Sequence, residues 1–262
     1  MRYMKGPQIH APYDILIQEL DLLLKLKLKP EIYFSAQVLD DINLEEVKGL
    51  AERLKENGIP ITFHGPFKDL LPGAEDRKVR RASMERIEGA IRLAEFFSPK
   101  VIVCHTGLIE RVNPSNLNGW VERSWESWGP LVELAEGLNT TIAIENVYEA
   151  APEPIERLIA ALNSPHVGFC LDIGHLNVWS QVPLEDWFQS LGRHIKEVHL
   201  HDNRGREDEH LPMGLGEIDY NPLFSLLKKI GGRPLFTIEP IRREDLEPAL
   251  QGFARLTPGE IL

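Results

Sequence analysis

The sequence predicts one (β/α)8 barrel spanning residues 1–262 as a single domain. Short β-branched or aromatic runs alternate with amphipathic helical segments along the whole chain, and that rhythm implies parallel strands joined by right-handed crossovers. Counting a weak first strand, eight such units share 262 residues, about 33 each, which suits a TIM barrel. Six strand candidates end on a polar residue: His64, His105, Glu145, Asp172, His199 and Glu239. In a barrel the C-terminal strand ends converge on one pocket. An open doubly wound sheet is the alternative, but no glycine-rich nucleotide loop follows the first strand.

The elements follow in order. Residues 1–12 are expected to hold a short first strand, limited by Pro7 and Pro12. Residues 14–27 (DILIQELDLLLKLK) space leucine and isoleucine as a helix does, and Pro30 closes them. EIYF at 31–34 is a strand candidate. Residues 44–57 read as an amphipathic helix, capped by Asn43 and stopped by Gly58. IPITF at 59–63 delivers His64. A helix over 77–96, with RKVRR as its exposed start, leads to the strand 100–104 and His105. In the next helix, 117–138, Trp120, Trp125 and Trp128 sit at helical spacing and are expected to pack. TTIAI at 140–144 ends at Glu145. A helix over 153–162 precedes VGFCL at 167–171, which ends at Asp172. A shorter helix, 184–191, leads to the strand 195–201. Helix 222–230, strand 234–238 ending at Glu239, and helix 245–256 complete the chain.

Composition narrows the class. Hydrophobic content of 43% and charge of 26% describe a globular chain with a sizeable core. No apolar run approaches the ~20 residues that span a bilayer, and MRYMKGPQIH lacks a signal peptide's apolar region. Cys104 and Cys170 lie in apolar runs, which suits buried thiols in a reducing compartment. The expected location is therefore cytoplasmic. Cys170 reads as core, alternating away from Asp172's neighbours in a buried run. The formal net charge of −11 argues against nucleic-acid and membrane partners. Self-association is left open.

The densest chemistry lies in VHLHDNRGREDEHLPMGLGEIDY, residues 198–220. On a strand His199 and His201 share a face, and Asp202, Asp208 and His210 follow. Such a run suits metal binding better than a core. Burying Glu145, Asp172 and Glu239 together would be prohibitive without a cation or protonation, and a divalent metal resolves the repulsion. His175 follows Asp172 by three residues and reaches the same pocket. Nitrogen and carboxylate donors without thiolate suit zinc or manganese first, with iron, magnesium and cobalt also compatible.

The motifs FHGPF at 63–67, VCHTG at 103–107, AIENV at 143–147, CLDIGH at 170–175, VHLHDN at 198–203, DEHLPMGLG at 208–216 and TIEP at 237–240 resemble the sugar-phosphate isomerase/epimerase group. That group belongs to the xylose-isomerase-like barrel superfamily, which also contains endonuclease IV. The resemblance runs from about Leu54 to Pro240. In the epimerase branch it implies Glu145, Asp172, His199 and Glu239 as metal ligands, with Glu145 and Glu239 as the acid/base pair. The endonuclease branch implies three metals: His64, His105 and Glu145 for the first; Glu145, Asp172, His199 and Glu239 for the second; His175, Asp208 and His210 for the third. The chain departs from that branch at NVYEAAP after Glu145, where Thr-Ala-Gly is expected, and at LDIGH, where Thr-Cys precedes the histidine. HGPFKDLLPG resembles the isomerase-type loop.

The expected function is thus a metal-dependent isomerase or epimerase of a sugar, sugar phosphate or related polyol, working by proton transfer next to a carbonyl. Its partner is a small carbohydrate. His201, Lys68, Arg204 and Trp179 are the expected substrate contacts; Lys68, Arg204, Arg206 and Arg242 lie beyond strand ends where they could hold a phosphate, and Trp179 could stack on a sugar face. One alternative is an abasic-site phosphodiesterase with a zinc cluster, for which an acidic chain offers little support. Another is a non-catalytic sugar-binding barrel, against which the retention of both glutamates counts.

Overall fold

A computed structural model describes residues 6–108 and 114–259. Eight parallel strands pair in sequence order, and the last closes on the first. They are β1 (Gln8–Pro12), β2 (Lys29–Tyr33), β3 (Thr62–His64), β4 (Val101–His105), β5 (Thr141–Glu145), β6 (Val167–Asp172), β7 (Ile195–Leu200) and β8 (Leu235–Ile238). The helices are α1 (Tyr13–Leu26), α2 (Ala36–Asp40), α3 (Leu44–Glu56), α4 (Arg77–Arg92), α5 (Ala94–Phe97), α6 (Pro114–Gly137), α7 (Glu153–Leu162), α8 (Ile173–Trp179), α9 (Leu184–Leu191), α10 (Asn221–Ile230) and α11 (Leu246–Leu256). The chain is a (β/α)8 barrel. Among the described residues no helix is long and apolar enough to cross a membrane.

Two features refine the expected order. The helix expected over 77–96 is two, divided at Leu93. Residues 173–179, directly after Asp172, form the short α8 because the Asp172 carboxylate accepts the His175 amide hydrogen at 2.6 Å and caps it. Asn43 caps α3 as expected, accepting from the amides of Glu45 and Glu46.

Alternation along each strand sorts the side chains. Ile32, Phe63, Ile102, Ile144, Phe169, Val198 and Ile238 face outward into the helical layer and are fully buried there. Inward-facing Val101, Val103, Ala143 and Cys170 form a small apolar plug under β4–β6. Cys170, expected as core, is fully buried on the inward face it shares with Asp172, as residues two apart on a strand do. On the other side of the interior the filling is polar. Gln8 donates to Thr62 at 3.1 Å, and the hydroxyls of Thr62 and Thr237 donate to Glu197.

Trp120 and Trp128 are buried, but Trp125 is 50% exposed at the edge of the face of α6 that carries them. Trp128→Ala is expected to lower stability by about 3–5 kcal/mol, since a fully buried indole leaves a cavity its neighbours cannot fill. Denaturant unfolding at matched metal content measures the loss.

The segment after β7 is folded back on the strand end. Asp202 and Leu211 exchange two backbone hydrogen bonds of 2.7 Å. The buried Asp202 carboxylate accepts the amides of Gly214 at 2.8 Å and Ile218 at 3.1 Å. A Cβ on Gly216 would stand 2.3 Å from Asp202 Oδ1, so only glycine allows this approach. Asp208 and His210 are thereby carried back over the barrel mouth.

Candidate metal centre

His64, His105, Glu145 and Asp172 are the last residues of β3, β4, β5 and β6; His199 is next to last in β7, and Glu239 follows β8. They meet at the bottom of a cavity of about 700 Å³, walled by Tyr33, Phe67, Tyr148, Trp179 and Ile241. His199 lies at the middle. Its Nδ1 stands 3.3 Å from Glu145 Oε1, 3.3 Å from Glu239 Oε1 and 3.8 Å from Asp172 Oδ2. No aligned hydrogen bond engages that nitrogen among the described residues, although His199 is fully buried.

The other ring nitrogen explains the orientation. His199 Nε2 lies 3.2 Å from Glu31 Oε2, and a proton donated there leaves the Nδ1 lone pair facing the three carboxylates. Glu31 is held in turn by His10 Nδ1 at 3.2 Å. Burial would raise the Glu31 carboxyl, but the charge of His199 and hydrogen bonds from His10 and His199 bring it down to about 2. Beneath it, burial and the Glu31 charge push Glu197 up to about 8.

Glu145 joins this group to a second. Its Oε2 lies 3.2 Å from His64 Nε2 and 3.0 Å from His105 Nε2. His64 Nδ1 donates to the Gly65 carbonyl at 2.9 Å, so its Nε2 lone pair points at Glu145. Burial opposes ionisation of Glu145, yet the charges of His105 and His199 hold it well below the usual carboxylate range. Glu239 is likewise held low, first by His199 and then by His210 and His10.

A third group gathers on Asp208. His175 Nε2 and His210 Nε2 approach its Oδ2 at 3.2 and 2.9 Å, and His201 Nδ1 faces its Oδ1 at 3.6 Å. Five buried atoms in the three groups lack a hydrogen-bond partner among the described residues: His199 Nδ1, His201 Nδ1, Asp208 Oδ1, His210 Nδ1 and Glu239 Oε2. Buried polar atoms are rarely left so. Lone pairs converging from imidazoles and carboxylates fit a divalent cation, so the donor set suits the metal that the sequence implies.

The sequence matches one family model, Xylose isomerase-like TIM barrel, over residues 31–258. The chain belongs to this family. Relatives of this xylose isomerase-like barrel include the uncharacterized MJ1311 of Methanocaldococcus jannaschii, 31% identical over 74% of this chain and 69% of that protein. L-ribulose-5-phosphate 3-epimerase UlaE of Escherichia coli is 26% identical over 80% of this chain and 75% of its own length. The crystal structure of a D-tagatose 3-epimerase-like protein superposes with a TM-score of 0.80 at 25% identity, covering 95% of this chain and 96% of that one. Of these three, one is named a sugar epimerase and one epimerase-like.

Of the substrate contacts expected in this xylose isomerase-like barrel, Trp179 lines the cavity, its ring 5.4 Å from His175 and 4.9 Å from Tyr148. Lys68 is exposed at the mouth. Arg204 is not on the wall: it pairs with Glu209 in solvent. Arg242 is similarly engaged by Asp245. His201 is buried behind Asp172 rather than on the wall, its Nε2 3.1 Å from both Asp172 oxygens. The sequence reading passed over His10, Glu31 and Glu197. Glu31 carried a signal, an acid at the head of an otherwise apolar strand candidate. His10 sits in the short proline-bounded strand, where alternation is too brief to read.

Proposed function

We propose that the chain is a metal-dependent isomerase or epimerase of a sugar or sugar phosphate. The observation carrying this reading is the ring of three buried carboxylates, Glu145, Asp172 and Glu239, around the unpartnered Nδ1 of His199. These four side chains would hold the metal, which when bound polarises a substrate carbonyl or hydroxyl as a Lewis acid. Glu145 and Glu239 both line the cavity, from strands three apart in the barrel order, so they can reach a bound substrate from different sides. Their neighbours keep both ionised, ready to accept a proton from the carbon beside the carbonyl and to return it. The aromatic walls suit the apolar faces of a sugar. Lys68, the one cationic side chain on the described cavity wall, would meet a phosphate at the mouth. The epimerase named among the relatives acts on such a phosphate.

Exchange of substrate C–H protons with solvent deuterium, followed by NMR over a panel of ketoses and their phosphates, tests the proposal. Incorporation at the carbon beside the carbonyl is expected. A second reading, a zinc-cluster phosphodiesterase, draws on the three neighbouring donor groups, two of which share Glu145. Nicking of abasic-site DNA, with deuterium entering no sugar of the panel, would reverse the order of the two.

His64 and His105 allow a separate check. The double change His64→Ala and His105→Ala is expected to reduce the metal content of purified protein, because both Nε2 atoms face the same Glu145 oxygen. Unchanged content by plasma mass spectrometry would limit the pair to contacts with substrate.

A further inference from the structure

Taking the pocket as the site of a sugar isomerase or epimerase, as above, we infer that His10 binds the substrate, its Nε2 accepting a hydrogen bond from a hydroxyl on the carbon beside the one that Glu239 deprotonates. His10 is the middle residue of β1, two positions from the inward-facing Gln8, so it points into the barrel. It is the register partner of Glu31 on β2, and β1 also flanks β8, which leads to Glu239. Its Nδ1 accordingly stands 3.2 Å from Glu31 Oε1 and 3.6 Å from Glu239 Oε1.

These neighbours fix the ring without using its far nitrogen. Tyr33 stacks on it at 5.5 Å, and the His64 ring meets it edge-on at 5.4 Å. A proton on Nδ1, donated to Glu31, leaves the lone pair on Nε2. Among the described residues no side chain engages Nε2. The side chain is 20% exposed, whereas His199 is fully buried, and the surface that His10 presents lies on the cavity wall.

The chemistry of that side of the cavity singles out His10. Around Glu239 the wall built by the ends of β1 and β8 is otherwise Pro12, Pro240 and Ile241, and none of these side chains forms hydrogen bonds. A sugar hydroxyl buried there finds only His10 to accept its proton, apart from Glu239 itself. A buried hydroxyl left unpaired is costly. His10 thus selects a polyhydroxylated substrate over one deoxygenated next to the reacting carbon.

The test compares two variants of zinc-loaded protein, with D-ribulose, D-fructose and their phosphates as the panel. His10→Asn keeps an amide N–H near the Nδ1 position, where it still donates to Glu31, and deletes Nε2. His10→Gln carries its amide near the Nε2 position and gives up the Glu31 contact. His10→Asn is expected to raise KM for solvent exchange of the substrate proton by about 10–100-fold, with kcat within about threefold of wild type and zinc content unchanged. His10→Gln should recover part of that loss. The reverse order of the two variants assigns His10 a structural role through Glu31, and zinc lost from His10→Asn makes it a metal ligand. Either result, or a KM within about threefold of wild type in His10→Asn, would overturn the inference. If the variants do not fold, wild-type protein labelled with 15N-histidine decides. A ketose of the panel should then shift the His10 Nε2 resonance, identified through the NOE between its ring protons and Tyr33. Protein that exchanges no proton, yet shows this shift, supports His10 as the hydroxyl acceptor and counts against the isomerase reading alone. No shift with any sugar of the panel overturns the inference.

Discussion

Glu239→Gln should reduce solvent exchange of the substrate proton by about 10²–10⁴-fold while the protein still binds metal, because an amide can coordinate through oxygen but cannot accept a proton. Glu239 suits this role: it follows β8, lines the cavity and is 8% exposed, with Oε1 3.3 Å from His199 Nδ1. Its charged surroundings keep it ionised at neutral pH. An amide is a weaker ligand than a carboxylate, so rates are compared at equal metal content. A variant that exchanges protons within about threefold of the wild-type rate would transfer the base role to Glu145 or remove it from the mechanism.

Glu31→Gln is expected to weaken metal binding at the His199 centre by about 10–100-fold, the usual cost of losing an outer-shell partner. Glu31 does not line the cavity and is fully buried. Its two oxygens face two imidazoles, His199 at 3.2 Å and His10 at 3.2 Å. Glutamine has one oxygen, so one imidazole must confront an NH2 group. If that imidazole is His199, its proton moves to Nδ1 and the lone pair directed at the three carboxylates is lost. Competition with a chromophoric chelator measures the affinity, and circular dichroism checks the fold. An affinity within a factor of three of wild type would show that the Glu31 contact does not set the His199 tautomer.

Much of the architecture was legible because it depends on local pattern. Period-two runs ending in His64, His105, Glu145 and Asp172 named their strands, and a capping Asn43 announced α3. Elements of one to two turns escaped notice: α2 and α8 are too short to develop a helical period, and the cap at Asp172 starts α8 inside what reads as a strand-to-loop exit. Cys170 was legible as core, because its run is apolar, and the structure buries it fully.

The candidate site divides along the same line. By itself the sequence determined the barrel and the set of histidines and carboxylates at the strand ends, because residue type and strand period are written locally. Only the tertiary structure decided which of them touch. That His201 turns behind Asp172 and away from the cavity, that Glu31 and His10 stand behind His199, and that Arg204 is taken up by Glu209 all depend on closure of β8 against β1 and on the fold-back anchored at Asp202. Those contacts join residues as many as 168 positions apart, and no local periodicity carries information over such a distance.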